Sequence, residues 1–268
     1  MRANLQITRR LVWSGFRQQS TYRLAALGGL VANATFGFLK VAILFATVRA
    51  AGGELNGYDV ATMSAYIWLS QGLLGSVNLH GRSELTERIK SGDVTIDFLR
   101  PLNVQLSHVA SEVGASLFAL IPRGLPSIGI GVVVVGMAMP DSPWPYLLGF
   151  LSVVLGITLG ALVVYAIGTS GFWLIETRGI QSLYMVVSGL LAGLFVPIGL
   201  FPTWLLAFAE ATPFPSMLMY PVDILSGRVS GVGSLRLVGV QCFWLGLTWL
   251  AGHFLTAAGR RKLEVQGG

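Results

Sequence analysis

Between residues 24 and 48 the chain carries one charged side chain, Lys40, and between 146 and 173 it carries none. Such runs match the ~20 apolar residues a helix needs to cross a hydrocarbon core of about 30 Å. In lipid they must be helical, because each backbone N–H and C=O has to find its partner inside the segment. Composition agrees: 53% of residues are hydrophobic and 11% charged, against roughly 25% charged in soluble domains, and the mean hydropathy is +0.69. The chain therefore reads as an all-α integral membrane protein whose 268 residues form one domain. Its net charge of +6 is no nucleic-acid footprint, since the basic residues sit beside apolar runs and act as topology determinants.

One interval breaks the apolar pattern. Residues 81–103, GRSELTERIKSGDVTIDFLRPLN, hold Arg82, Arg88, Lys90 and Arg100 with Glu84, Glu87, Asp93 and Asp97. Its first half predicts a short helix with Ser83 as N-cap. Glu84 and Glu87 fall in the first turn, Arg88 and Lys90 in the last, and Ser91-Gly92 forms the stop. Glu84 and Arg88 stand one turn apart in the favourable acid-to-base order. Asp93 caps a second helix over 94–99, which must end before Pro101. The interval suits either a solvated loop or a docking element for a cytoplasmic partner.

The rest of the chain is read around it. Residues 1–23 hold five arginines and no continuous apolar core, which argues against a cleavable signal peptide. They predict a helix on the membrane surface, with Arg2, Arg9, Arg10 and Arg17 on one arc and Leu5, Val12 and Phe16 beside it. Spans follow at 24–48, 58–79, 104–139 (bent at Pro122 and Pro126), 146–173, 181–200 and 234–257. Residues 201–233 hold Pro202, Pro213, Pro215 and Pro221 among apolar pieces too short to cross. They predict two short helices, 203–211 and 216–225, folded into the outer interface. Arginine and lysine crowd segments 1–23, 81–103 and 259–268, so the positive-inside rule puts both termini and the charged interval in the cytoplasm.

Chemistry is sparse. Lys40, Lys90 and Lys262 follow Leu39, Ile89 and Arg261, so none ends a Walker A loop, and any ATP hydrolysis belongs to another chain. His80, His108 and His253 are too scattered for a metal site. No catalytic set stands out, and Cys242 reads as a packing residue. Within the spans, Lys40 is expected to snorkel outward and Arg123 to find a partner on another span. Gly156/Gly160 and Gly189/Gly193 permit close helix approach, the second pair marking the fifth span as a helix–helix face.

Taken in order, these features resemble the ABC type-2 exporter permease family. The charged interval is similar to the family's cytoplasmic coupling helix through Glu87, Ile89, Ser91, Gly92, Leu99, Pro101 and Leu102. The outer stretch PIGLFPTWLLAFAEATPFPSMLMYP resembles its re-entrant hairpin through Pro197, Phe201, Pro202, Trp204, Pro213 and Phe214. Within the family the chain is most similar to a bacterial branch whose permeases often come as two different subunits. The resemblance implies six transmembrane helices, an N-terminal interfacial helix, a coupling helix between spans two and three, and a hairpin between spans five and six. It also implies a non-catalytic exporter subunit of the bacterial cytoplasmic (inner) membrane. A second permease chain, identical or homologous, would pair with it. Two nucleotide-binding ATPase subunits would supply ATP and Mg chemistry, this chain holding no cofactor. Coupling would fall to Glu84, Leu85, Glu87, Arg88, Ile89, Ser91, Gly92, Asp93, Leu99 and Pro101, with Leu85 and Ile89 entering a groove on the ATPase. The six hairpin residues would form the outer gate. Tyr66, Trp68, Met185, Gly189, Gly193 and Phe195 would line the pathway or dimer face, for an apolar or amphipathic drug, peptide, lipid or glycolipid; by residue type, Tyr66, Trp68, Met185 and Phe195 fit lipid-facing or core packing better. The alternative, a stand-alone ion-coupled transporter, calls for mid-membrane ion ligands and internal repeats, and only Lys40 and Arg123 lie deep.

Overall fold

A computed structural model describes residues 2–21 and 23–266, with side chains described for 6–21 and 28–263. It is 78% helical, without strands among the described residues. The helices in order are α1 (Arg2–Ser20), α2 (Arg23–Ala50), α3 (Val60–Leu74), α4 (Glu84–Ser91), α5 (Val94–Leu99), α6 (Val104–Ala119), α7 (Leu125–Ile130), α8 (Trp144–Gly168), α9 (Arg178–Leu191), α10 (Thr203–Glu210), α11 (Phe214–Met217), α12 (Met219–Leu225) and α13 (Val232–Gln266). Among the described residues, four helical stretches are long and apolar enough to cross a membrane: Gly28–Ala50, Val104–Val135, Trp144–Phe172 and Val232–Leu263. Where the sequence predicts the second and fifth spans, regular helix covers 15 residues in α3 and 14 in α9. At 1.5 Å per residue each is about 22 Å long, shorter than the hydrocarbon core.

α3 is short because both ends are fixed. Asp59 accepts from the Thr62 N–H, and the Asp59 N–H donates to the Thr62 hydroxyl, a reciprocal cap that starts the helix. Gly75 closes it. Every residue from Met63 to Leu73 is buried. A helix covered all round forms the centre of a fold, and α2, α7 and α12 pack about this one. Trp68 sits where Gly37 of α2 and Gly131 leave space; a Cβ on Gly131 would stand 2.5 Å from that of Trp68.

The long third span, expected to bend at Pro122 and Pro126, departs from regular α-helix in π-helical turns at Leu120–Gly124 and Gly131–Val135. The first contains Pro122 and Arg123, and the Arg123 side chain lies against Gly29 of α2 and Gly75.

α1 packs on protein. Gly15 faces the Ser111 carbonyl of α6, and Gly114 of α6 faces the Val12 carbonyl; a Cβ on either glycine would come within 1.9 Å. Phe16 meets Phe118 edge-on while Arg9, Arg10 and Arg17 face outward. The expected placement of Arg2 and Leu5 lies outside the described side chains.

α8 is the spine. Its stripe of glycines takes Leu225 at Gly149, the Met217 carbonyl at Gly156, Val77 at Gly160 and Ser83 at Gly168. Small residues let backbones approach this closely. The second glycine pair does not work this way: α9 ends at Leu191, and Gly193 is a left-handed turn at φ 76°. Cys242, expected to pack, is exposed on α13.

Gly114→Ala should cost about 1–3 kcal/mol by forcing α1 off α6. Gly129→Ala, with nothing within 4 Å of its Cβ, should be neutral or stabilising. Thermal unfolding of both variants in detergent, with proteolysis at Arg17 reporting release of α1, checks the contrast.

Candidate functional site

Three regions gather the residues singled out in the sequence: the α4–α5 platform, the segment from Pro197 to α12, and a groove beside α9.

The platform begins with a helix whose charges lie as the dipole asks, but its caps differ from expectation. Ser83 and Asp93 occupy the N-cap positions without capping through their side chains. Ser83 instead lies over Gly168 of α8, while Asp93 accepts from the Ser91 hydroxyl. Gly92 takes φ 83° at the C-cap, as the sequence predicts, and nothing crowds it. Arg88 bypasses Glu84. Its Nε donates to Asp97 Oδ2 at 2.5 Å and its Nη2 to Oδ1 at 2.8 Å. This two-point pair ties α4 to α5, and Asp97 holds the guanidinium proton more firmly than usual. Arg100 and His108 stand 3.6 and 3.9 Å from the same carboxylate, and Lys90 reaches Glu176 at 3.4 Å.

Burial corrects the expected docking residues. Leu85 is 1% exposed and joins Val94, Leu162, Tyr165 and Phe172 in an apolar cluster of this chain, with Ile89 packed on it against Gly171. Neither is free to enter a partner's groove. Helical periodicity could not say which side of α4 faces inward. The outward apolar side chains are Ile96, 50% exposed, and Leu99, 85% exposed. Glu84, Glu87, Lys90, Ser91, Gly92 and Asp93 are exposed around them, and Arg100 leads into the turn at Pro101. The platform is clamped from behind: Phe98 stacks on Phe172, Arg260 of α13 lies 5.6 Å over Phe98, and Gly259 leaves room for Phe172.

The Pro197–α12 segment divides in two. Pro197 precedes a short 3-10 turn, Phe201 is half-buried, and Pro202 leads into α10, whose Trp204 is exposed. From Pro213 the chain is covered. Phe214 lies 6.1 Å from Tyr184 of α9, and Met217, Leu218 and Met219 are fully buried. The expected piece 216–225 is thus core, packed on α8 and α3, rather than interfacial. Two features escape sequence reading. Gln241 of α13 donates to the carbonyls of Ser152 and Ser216 and accepts from the Ser152 hydroxyl, joining α13, α8 and α11. Asp223 accepts two bonds from Arg228, at 2.7 and 2.8 Å, and that guanidinium lies 4.9 Å over the Tyr58 ring. Only the five-residue spacing of opposite charges in an apolar stretch could have flagged this pair.

The groove lies between α2, α3 and α9, a cavity of about 310 Å³. Of the six expected pathway residues it contains Met185, Gly189 and Phe195. Tyr66 and Trp68 are buried in the core instead, and Gly193 is the turn whose carbonyl accepts from the Tyr66 hydroxyl at 2.7 Å. Lys40, expected to snorkel outward, turns in: its ammonium donates to the Leu194 carbonyl and lies 5.8 Å over the Tyr66 ring.

Asp223→Asn should lower stability by about 3–5 kcal/mol, since it leaves Arg228 without its charge partner, whereas Asp223→Leu/Arg228→Met should recover most of the loss. Thermal unfolding of the purified variants measures both.

No curated protein matches the chain. The sequence pattern of the family described as ABC-2 family transporter protein matches residues 31–267, from within α2 through α13. Permeases of this family are membrane subunits, generally non-catalytic, and membership implies association with ABC ATPase subunits. With four helices among the described residues fit to cross a membrane behind that match, this multi-pass membrane protein belongs to the ABC-2 transporter family.

Proposed function

We infer that the chain is the permease subunit of an ATP-driven exporter, working as a pair with an identical or homologous chain. One observation carries this reading: α4 and α5 form a rigid, internally ion-paired platform that turns Ile96 and Leu99 outward within a charged rim. Apolar knobs inside a charged ring suit docking to a groove on another protein, the apolar centre giving affinity and the rim orientation. The partners are two nucleotide-binding subunits, which bind ATP with Mg. Both chain termini and the platform face the cytoplasm of a bacterial inner membrane, with α3 and α9 completing six crossings. These two helices are shorter than the bilayer core, and the irregular backbone beyond them is tolerated because it is buried in protein.

α8 supplies the mechanical link. Its Gly168 carries Ser83 at the entrance of the platform, and its Gly156 carries Met217 about 18 Å away along the same helix. Closure of the ATPases on ATP would push on α5, and the clamp of Phe98, Phe172 and Gly259 passes that push to α8 and α13 together. The segment from Pro197 to α12 is then a re-entrant outer gate seated on the far half of α8, latched by Asp223, Arg228 and Tyr58. The cargo, apolar or amphipathic, moves along the face formed by α2 and α9.

Leu99→Asp and Ile96→Asp should abolish capture of the cognate ATPase while leaving thermal unfolding within about 0.5 kcal/mol of wild type, both sites being exposed. Leu85→Asp should unfold the platform, because it buries a charge in an apolar cluster. Co-purification beside an unfolding curve for each variant separates the two. Wild-type capture by Leu99→Asp would sink the platform as the docking site.

A further inference from the structure

The groove between α2, α3 and α9 is apolar along most of its length, lined by Phe36, Leu74, Leu79, Met185 and Phe195. Three polar residues interrupt it, Lys40, Gln71 and His80. The Lys40 ammonium enters from α2; of its three protons the Leu194 carbonyl takes one. Gln71 enters from α3. It is 1% exposed, and its side-chain oxygen has no hydrogen-bond partner although buried. A buried amide oxygen left unpaired costs about 1–3 kcal/mol; this one has no accessible surface of its own, so an N–H or O–H from an occupant recovers that cost once the Gln71 side chain turns toward the groove. No acidic residue lines the groove among the described residues, and His80 is the remaining ionisable group there. Its volume of about 310 Å³ lies at the lower end of the ~300–1,000 Å³ usual for ligand sites, which suits one alkyl chain better than two.

The geometry points to a cargo site for a single-chain acidic amphipath, whose anionic head meets Lys40 and whose adjacent N–H or O–H donates to Gln71. This rests on the permease reading and deepens it by naming the chemical class carried. Three complementarities hold together: a cation with no competing carboxylate, an acceptor in want of a donor, and an apolar trough sized for one tail. An N-acyl amino acid has all three parts, with its carboxylate next to its amide N–H.

The test uses the purified full chain in a neutral detergent and a diazirine-tagged N-dodecanoylglycine, with labelled positions mapped by mass spectrometry. Labelling is expected on α2 and α9 near Phe36, Met185 and Phe195. It should be displaced by N-dodecanoylglycine at least tenfold more effectively than by its methyl ester or by dodecyltrimethylammonium. Lys40→Met should weaken labelling about tenfold and Lys40→Arg should restore most of it, while Gln71→Leu should narrow the preference for the N–H-bearing probe over dodecanoate. Met185→Trp fills the groove without touching the Lys40–Leu194 bond and should abolish labelling. Equal labelling of Lys40→Met with an unchanged unfolding curve overturns the proposal. So does equal displacement by the ester. Stronger displacement by two-chain phosphatidylglycerol would make the groove a bilayer-lipid site, and protection by a second copy of the chain would make it a dimer contact; either overturns a cargo site. Labelling needs no ATPase, so labelling lost with ATPase capture intact rejects the cargo site alone. Capture lost with labelling intact rejects the coupling reading and leaves the site supported.

Discussion

A carbonyl that leaves the helical ladder inside an apolar medium has to be met by a donor, and this chain leaves the ladder repeatedly. Beyond α9, the Gly193 carbonyl accepts from Tyr66 and the Leu194 carbonyl from Lys40. Beyond α3, the Asn78 and Leu79 carbonyls accept from Tyr184 and Ser188 of α9. At α11, the Ser216 carbonyl accepts from Gln241. Each donor is a polar side chain on a different helix from the break it serves. The breaks are therefore also the joints, and the bundle is pinned at the places where regular structure stops. α3 and α9 serve each other in this way, which helps two helices shorter than a bilayer hold fixed positions.

Much of this architecture is legible in the sequence. The long apolar runs, the charged interval with its Gly92 stop, the irregular turn at Pro122, and the brevity of the pieces between Pro202 and Pro221 all follow from local rules. What was not legible depends on facing. The period of α4 says that Leu85 and Ile89 share a side but not that α8 lies beneath it, so the outward residues turned out to be Ile96 and Leu99. For Tyr66 and Trp68 the sequence left pathway lining, lipid facing and core packing all open, and glycines on α2 and at Gly131 make the room that puts Trp68 in the core. Lys40 is the sharpest case. Position along the helix argued for snorkelling outward, and a carbonyl more than a hundred residues away in sequence drew it inward.

Placement of charge follows the same economy. Asp97 gathers Arg88, with Arg100 and His108 close by, and Asp223 holds Arg228 beneath Tyr58. Pairs of this kind contribute little net stability once desolvation is counted, but losing one partner is severe. Their effect is to fix geometry. The first pair sets the angle of α5 on α4, and the second fixes the end of α12 against the approach to α3.

The grip of Gln241 on Ser216 has a consequence for how the molecule is made. α11 and α12 are too short to insert alone, and their apolar surface is covered by the glycine stripe of α8, already in place when they are synthesised. The residue that closes over them belongs to α13, which emerges from the ribosome afterwards. The segment therefore waits, half-lodged, until the final helix arrives. Chain termination before residue 241 would leave a protein with most of its helices laid down and this end of the bundle unlocked, a species for quality control to recognise by the exposed apolar surface of α11 and α12.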